Sequence, residues 1–402
     1  MITFETSKQK VVRSKGYNYT FNKETGFFAR WGKKKKDDPL FSPFGPEIAD
    51  IEITTKCSGL RYGGKDHLCK FCYKSNTPNG TNMSIETFRK MIDNFPTYKQ
   101  KTMTITEQDG VERTVFMSSN VASKRLEEMI GKRCGDDKWT NFESKDVPFL
   151  TQVAFGADSK AESNPDLWAM MDYCREKGII PNITVAQITD ETADKLVSKC
   201  GAVAVSRYEN KDICYDTVQK LTDRGLEQTN IHCMISEETF DNAWETLQDR
   251  LTDPRLSKLK AIVFLSLKKK GRGKSFTPLA QDKFKKIVDF AMKNNVGIGF
   301  DSCSAFKYLK SVEDHENFKT FEMYSEPCES SAFSIYCNSD GKFFPCSFSE
   351  DGEFGEGLDV VNCNDFMKEI WNHPRTKSFR EKLLATADNN NLKCRECPLF
   401  EV

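Results

Sequence analysis

From residue 50 to about 300 the chain alternates short apolar runs with amphipathic stretches of helical period, which is the pattern of parallel βα units whose helices cover the sheet. Strands are predicted at 50–55, 149–155, 179–186, 202–206, 229–235, 260–267 and 296–301. The punctuation between them is that of helices. Ser84 precedes Ile85, Phe88, Met91, Ile92 and Phe95, with Pro96 as a stop. Asn164, Pro165 and Gly178 bracket the next helix as N-cap, first-position proline and terminal glycine. Further helices follow Thr189, precede Gly225, and span 238–252 and 281–294. That is too few units for a closed eight-unit barrel. The expected fold is α/β: a partial (β/α)6 TIM-like barrel over 48–305, whose active mouth lies at the C-terminal ends of the strands.

Two regions break the rhythm. Residues 97–147, which include Cys134, are polar and weakly periodic, and read as an insertion that is either a recognition element or a surface excursion. Residues 1–47 form an N-terminal extension in which Tyr17 to Trp31 alternates around Asn22-Lys-Glu-Thr-Gly26 as a β-hairpin, and Lys33 to Lys36 reads as a solvated run.

The loop after the first barrel strand carries Cys57, Cys69 and Cys72. Three thiolates can hold an iron–sulfur cluster and leave one iron for a substrate or cofactor, whereas a cluster that only carries electrons normally has four protein ligands. A Cys₃His zinc site with His67 uses acceptable ligand types and is the competing reading. Composition bears on this choice. Fifteen cysteines with no signal-peptide core at the start point to a cytoplasmic protein with free thiols, where clustered cysteines bind metal. The longest apolar runs, such as Ala261–Leu265, are too short to span a bilayer, so no membrane partner is expected. Lys plus Arg equals Asp plus Glu at 59 each, and no basic aromatic face indicates nucleic acid.

The cysteine loop, ending in Cys69-Lys-Phe71-Cys72 behind a barrel strand, resembles that of the radical S-adenosylmethionine (radical SAM) superfamily, and the resemblance covers most of the chain. It departs from the family in the long spacer Ser58–Leu68, which Gly59, Gly63 and Gly64 make feasible. The resemblance implies a [4Fe–4S] cluster on Cys57, Cys69 and Cys72, with SAM on its open iron. It also implies reductive cleavage to a 5′-deoxyadenosyl radical that abstracts a hydrogen atom, and an electron donor such as flavodoxin or ferredoxin. By the same resemblance Phe71 and Tyr73 flank the cofactor, and Gly156-Ala157-Asp158 stands for the motif that meets the SAM ammonium group. Thr184 and Ser206 are polar contacts, Arg207 pairs with the SAM carboxylate, and His232 either faces the site or is a core residue. The Gly271-Arg-Gly273 turn reads as a basic loop, ligand-binding or merely solvated. Asp301 and Cys303, at the end of the last strand, are candidate acid–base or hydrogen-donor groups, with packing the alternative for Cys303.

Residues 306–402 read as a small α+β domain. Cys328 to Cys346 forms a hairpin around the turn Asn338-Ser-Asp-Gly341, followed by Cys394-Arg-Glu-Cys397. The arrangement is similar to the SPASM or twitch modules of radical SAM enzymes, and implies an auxiliary [4Fe–4S] cluster on Cys328, Cys346, Cys394 and Cys397. Cys363 is an alternative ligand, and Cys337 packs inside the hairpin. A structural zinc site uses the same spacing. The expected function is radical modification of a substrate, first a peptide or protein side chain, alternatively a small molecule such as a nucleotide or amino-acid-bearing base. The non-enzymatic rival is a zinc-stabilised binding protein.

Overall fold

The computed structural model describes residues 2–34, 37, 39–106, 110–117 and 138–402, so Cys134 lies outside the described residues. The chain begins with a four-stranded antiparallel sheet, β1 (Ile2–Glu5), β2 (Gln9–Arg13), β3 (Asn18–Asn22) and β4 (Phe28–Trp31), in sequential order. The predicted hairpin is β3–β4. Its turn is held by Asn22 Oδ1, which accepts from the backbone N–H groups of Glu24 and Thr25, both at 2.9 Å. The sequence around β1–β2 is polar and gives no strand signal, because Lys10 points inward. Its ammonium is buried and donates to the carbonyls of Pro148 (2.8 Å) and Leu150 (2.9 Å), and burial lowers its pKa to about 8.

The barrel opens with β5 (Ile48–Glu52), and a short hairpin, β6 (Leu60–Tyr62) and β7 (Lys65–His67), projects from the following cysteine loop. Helix α1 (Ile85–Asn94) starts where Ser84 Oγ accepts from Thr87 N–H at 3.1 Å. The insertion is β8 (Thr97–Thr106), β9 (Glu112–Met117) and β10 (Lys138–Pro148), an antiparallel sheet in the order β10-β8-β9. It packs on the N-terminal sheet through Tyr98, Val147 and Phe149 against Val12, Tyr17 and Tyr19.

The repeating units are β11 (Gln152–Gly156), α2 (Leu167–Glu176), β12 (Ile180–Val185), α3 (Asp190–Lys199), β13 (Ala202–Arg207), α4 (Lys211–Asp223), β14 (Thr229–Ile235), α5 (Phe240–Thr252), β15 (Ala261–Ser266), α6 (Gln281–Asn294) and β16 (Ile298–Phe300). Their strands pair in parallel in chain order from β5 to β16, giving the partial barrel. Each strand divides its residues between two faces. In β14, Thr229, Ile231, Cys233 and Ile235 are buried against the helices while Asn230, His232 and Met234 face the lumen. Each fully buried aliphatic or aromatic side chain on the helix side contributes about 1.5–3 kcal/mol.

After α7 (Ala305–Ser311) and α8 (Phe318–Tyr324), β17 (Ser334–Cys337) pairs in parallel with β5 at the barrel's free edge. The antiparallel strands β18 (Lys342–Phe344) and β19 (Leu358–Asp359) extend the sheet, and α9 (Pro374–Thr386) follows. The C-terminal hairpin is thus built onto the first barrel strand, beside the loop that carries Cys57.

Candidate metal centres

Two groups of cysteines sit at the C-terminal end of the barrel. In the first, Cys57 follows β5 and is fixed by its N–H to the carbonyl of Thr77 (2.9 Å). Gly59 adopts φ +74°, and a Cβ there would run into the carbonyl of His67, so the β6–β7 hairpin can fold back only because residue 59 is glycine. Cys69 and Cys72 follow in a turn closed by Cys72 N–H on the Cys69 carbonyl at 3.5 Å. Burial pushes the Cys69 thiol up to about 12, opposed by the Phe71 backbone N–H, and the nearby Cys72 and Cys57 sulfurs raise it further. The three thiols are therefore neighbours.

The Gly271-Arg-Gly273 turn, read from sequence as a ligand-binding or solvated loop, is neither. Arg272 Nε donates to the Cys69 carbonyl (2.8 Å), Nη1 to the Asn76 carbonyl (3.2 Å), and the Arg272 backbone N–H to the Cys72 carbonyl (3.0 Å). Gly271, at φ +56°, leaves no room for a Cβ against the carbonyls of Tyr73 and Cys72. The turn braces the cysteine loop.

Beside this loop lies a cavity of about 490 Å³, lined among others by Cys57, Cys69, Phe71, Ser159, Tyr208 and Phe276. Phe71 stacks on Tyr208 with ring centroids 5.7 Å apart and meets Phe276 edge-on at 6.2 Å. Tyr73 turns away from the cavity and packs on Phe348 at 4.4 Å. Gly156 ends β11 against Glu52, Ala157 packs on the core, and Asp158 is spent on its own loop, where Oδ1 accepts from the N–H groups of Glu162 (3.0 Å) and Ser163 (3.3 Å). Thr184 Oγ1 and His232 Nδ1 meet in the lumen at 3.4 Å, and burial lowers the His232 pKa to about 4. Ser206 faces the same side, where it partly offsets the burial that raises the Tyr208 phenol. Arg207 does not. As the next residue in the strand it projects to the opposite face, where Nη2 meets Glu245 of α5 at 2.8 Å.

Sequence reasoning missed Ser159, whose Oγ donates to the Gly59 carbonyl at 2.7 Å, and Tyr208, the aromatic residue just beyond the predicted contact Ser206. His67 stacks on Tyr62 at 3.7 Å with Nε2 3.3 Å from the Tyr62 carbonyl. Among the described residues no three His, Cys, Asp or Glu side chains converge tightly enough for a single metal ion. A cubane presents its irons at separate corners, and three thiols around one loop suit that wider footprint and all-sulfur donor preference.

The second group joins Cys303 to the C-terminal domain. The Cys303 thiol is near enough to Cys328 and Cys397 for their ionisation to be linked, and its charge raises the pKa of Cys346. Hydrogen bonds from Cys328 and Cys397 hold Cys303 well below the usual thiol range, with Lys268 assisting, and the same bonds push Cys328 and Cys397 up. Asp301 pairs with the Lys268 ammonium and is bonded by Ser304 Oγ; burial raises its pKa, and Lys268 opposes that rise. Cys394 lies beside the same turn. It is buried, packs on Ala305 and Leu309, and its thiol lies 3.6 Å from the Arg395 carbonyl. Cys363 donates to the Val360 carbonyl at 3.3 Å, and Cys337 is buried in the main core.

Residues 328–398 match the SPASM family, described as an iron-sulfur cluster-binding domain. Curated proteins give no match. Among solved structures, Streptococcus suis SuiB bound to precursor peptide SuiA superimposes with a TM-score of 0.61 at 11% identity, covering 100% of both chains. SuiB alone gives 0.56 at 10% identity over 99% of both chains. SuiB bound to S-adenosylmethionine gives 0.54 at 11% identity, over 89% of this chain and 78% of that one. No helix among the described residues is long and apolar enough to cross a membrane. The chain therefore carries a SPASM iron–sulfur cluster-binding domain on an open α/β barrel with the fold of SuiB.

Proposed function

We propose that this protein is a radical SAM enzyme that modifies a peptide side chain. The observation that carries this reading is the loop of three neighbouring thiols, Cys57, Cys69 and Cys72, at the C-terminal end of the first strand of an open parallel barrel, beside a 490 Å³ cavity. These residues would hold a [4Fe–4S] cluster, and an auxiliary cluster would be held in the SPASM domain. When bound, a cluster with one open iron supplies, together with SAM, one-electron reductive cleavage and hydrogen-atom abstraction.

The chain's own residues have complementary tasks. Phe71, Tyr208 and Phe276 offer an aromatic wall suited to a purine. Thr184, Ser206 and His232 line the lumen with uncharged hydrogen-bonding groups, His232 remaining neutral at physiological pH because burial depresses its pKa. Arg272 fixes the carbonyls of the cysteine loop, so that the thiols keep their relative positions. Lys74, just behind the last cysteine, joins Glu52 of the barrel (3.3 Å) to Glu350 of the C-terminal domain, which keeps the two centres in register. A peptide substrate is supported by the end-to-end likeness to a structure that contains one.

Anaerobically purified protein should be brown, carry about eight irons as two cubanes require, and release 5′-deoxyadenosine from SAM on reduction. Deuterium from a labelled peptide should appear in that product. Colourless protein with stoichiometric zinc and no SAM cleavage would overturn the reading.

A further inference from the structure

We propose that the free edge of β16 and the groove beside it dock an extended, uncharged segment of the peptide substrate as an added strand, so that the residues next to that segment reach the barrel mouth. The inference deepens the functional reading and rests on it for the peptide's role as substrate.

An open barrel has two edges. The C-terminal domain closes one, where β17 pairs with β5, and leaves β16 at the outer end of the sheet. The register fixes which backbone groups stay free. Ile262 N–H donates to the Gly297 carbonyl (3.0 Å) and Asp301 N–H to the Phe264 carbonyl (3.1 Å), so Gly297, Gly299 and Asp301 turn their polar groups toward β15. Ile298 and Phe300 therefore turn theirs outward, and among the described residues no hydrogen-bond partner meets them. Two such outward positions, about 6.6 Å apart, match the backbone of an extended chain.

A groove of about 460 Å³ follows this edge. Helix α6 supplies Ala291 and Met292, α7 supplies Ala305 and Tyr308, and Tyr324 joins from the end of α8. Met292 and Tyr324 are exposed, Tyr324 to 73%. Edge strands are commonly protected from pairing by charge, proline or a bulge, whereas this one reads Ile298-Gly-Phe300 and is flanked by apolar side chains. Gly299 is required by neither conformation nor packing, since its φ is not left-handed and a Cβ there would meet only Val263 at 3.5 Å. A glycine so placed lets another backbone approach closely. The strand is steadied from behind, where Phe300 stacks on Phe284 with ring centroids 4.6 Å apart. The charged groups lining the groove are Asp301 and Glu326, already paired with Lys268 and Arg30, which suits an uncharged occupant. Because β16 runs parallel to the other barrel strands, a chain laid along it points at the mouth.

The test pans a random dodecapeptide library displayed on phage against the full chain, and measures binding of one recovered, synthesised peptide by fluorescence anisotropy. Ile298→Pro removes an outward N–H that makes no bond to β15, and Tyr324→Asp puts a charge in the groove; circular dichroism checks that both fold. Each should weaken binding about tenfold. N-methylation of the peptide, one amide at a time, should abolish binding at alternate residues, the period of a paired strand, and the bound peptide should slow hydrogen exchange at the Ile298 and Phe300 amides. Unchanged affinity in Tyr324→Asp, N-methyl effects without that period, or a library that yields no binder overturns the proposal. A dimer in sedimentation that Ile298→Pro abolishes also overturns it, by giving the edge to a second copy of the chain. SAM cleavage is measured on the same wild-type preparation: its absence overturns the radical SAM reading, whereas cleavage without docking at β16 overturns the docking proposal alone.

Discussion

Cys57, Cys69 and Cys72 belong to one loop beside a cavity, whereas Cys303, Cys328, Cys346 and Cys397 come from separate parts of the chain and influence one another's ionisation. The first group is held by backbone: Arg272 and its flanking glycines brace the carbonyls of the loop rather than its thiols. The second group is steadied by side chains, through the Lys268–Asp301 pair beside Cys303. The difference matches the two tasks proposed. An open centre must leave room for a ligand and so needs a loop braced from behind, while a closed centre can use every donor and fasten distant segments.

The largest effect that would break this comparison comes from the cysteines. Cys72→Ala should reduce 5′-deoxyadenosine formation to background and remove about half of the iron, leaving the auxiliary cluster's Mössbauer signal unchanged. If the auxiliary signal vanishes too, the centres are not independent. Next in size is Lys268→Met. It leaves the Asp301 carboxylate buried without its partner, which costs about 3–5 kcal/mol, and a denaturant titration should show this as a large fall in midpoint. The double variant with Asp301→Asn should recover part of the loss.

A smaller effect concerns the lumen between the centres. His232 has a folded pKa of about 4 against 6.5 when unfolded. The unfolded chain therefore binds more protons between those values, and stability falls as pH drops through them, by roughly 3 kcal/mol at most. Asp50, on the opposing wall, opens to solvent in the lumen, yet its surroundings raise its pKa to about 6 from 3.8. Here the folded chain binds more protons, so stability rises as pH falls from 6 toward 4, with a size reduced by the solvent that reaches the carboxyl. The two slopes oppose each other. Asp50→Asn should steepen the acid destabilisation seen by thermal melting between pH 6.5 and 4, and His232→Gln should abolish or reverse it.

Much of the barrel is legible in the sequence because its signals are local. Ser84 does cap α1, the strand–helix alternation gives the parallel order, and the hairpin after Cys328 forms β17–β18. What escapes depends on distance or parity. Strand β2 hides behind a buried lysine whose partners are the carbonyls of Pro148 and Leu150, far along the chain. Placing Arg207 on the face of Ser206 overlooks that adjacent strand residues must point in opposite directions.

The bracing turn offers the smallest and most selective test of the comparison. Arg272→Ala removes two side-chain hydrogen bonds to loop carbonyls and keeps the backbone bond to Cys72, so the expected cost is about 1–3 kcal/mol. That cost should fall on one centre. The bonds of Arg272 end on Cys69, Cys72 and Asn76, away from the second group of thiols, so iron chelated from the variant should leave the three-cysteine loop faster while the auxiliary cluster is released at the wild-type rate. Arg272→Lys keeps the charge but cannot reproduce the guanidinium's divergent donors, and it should behave like alanine if geometry is what matters. Behaviour like the wild type would mean that the positive charge near Cys69, rather than the grip on the carbonyls, holds the loop. Equal acceleration of both clusters would show that the turn stabilises the whole mouth, and the contrast between a backbone-held and a side-chain-held centre would fail.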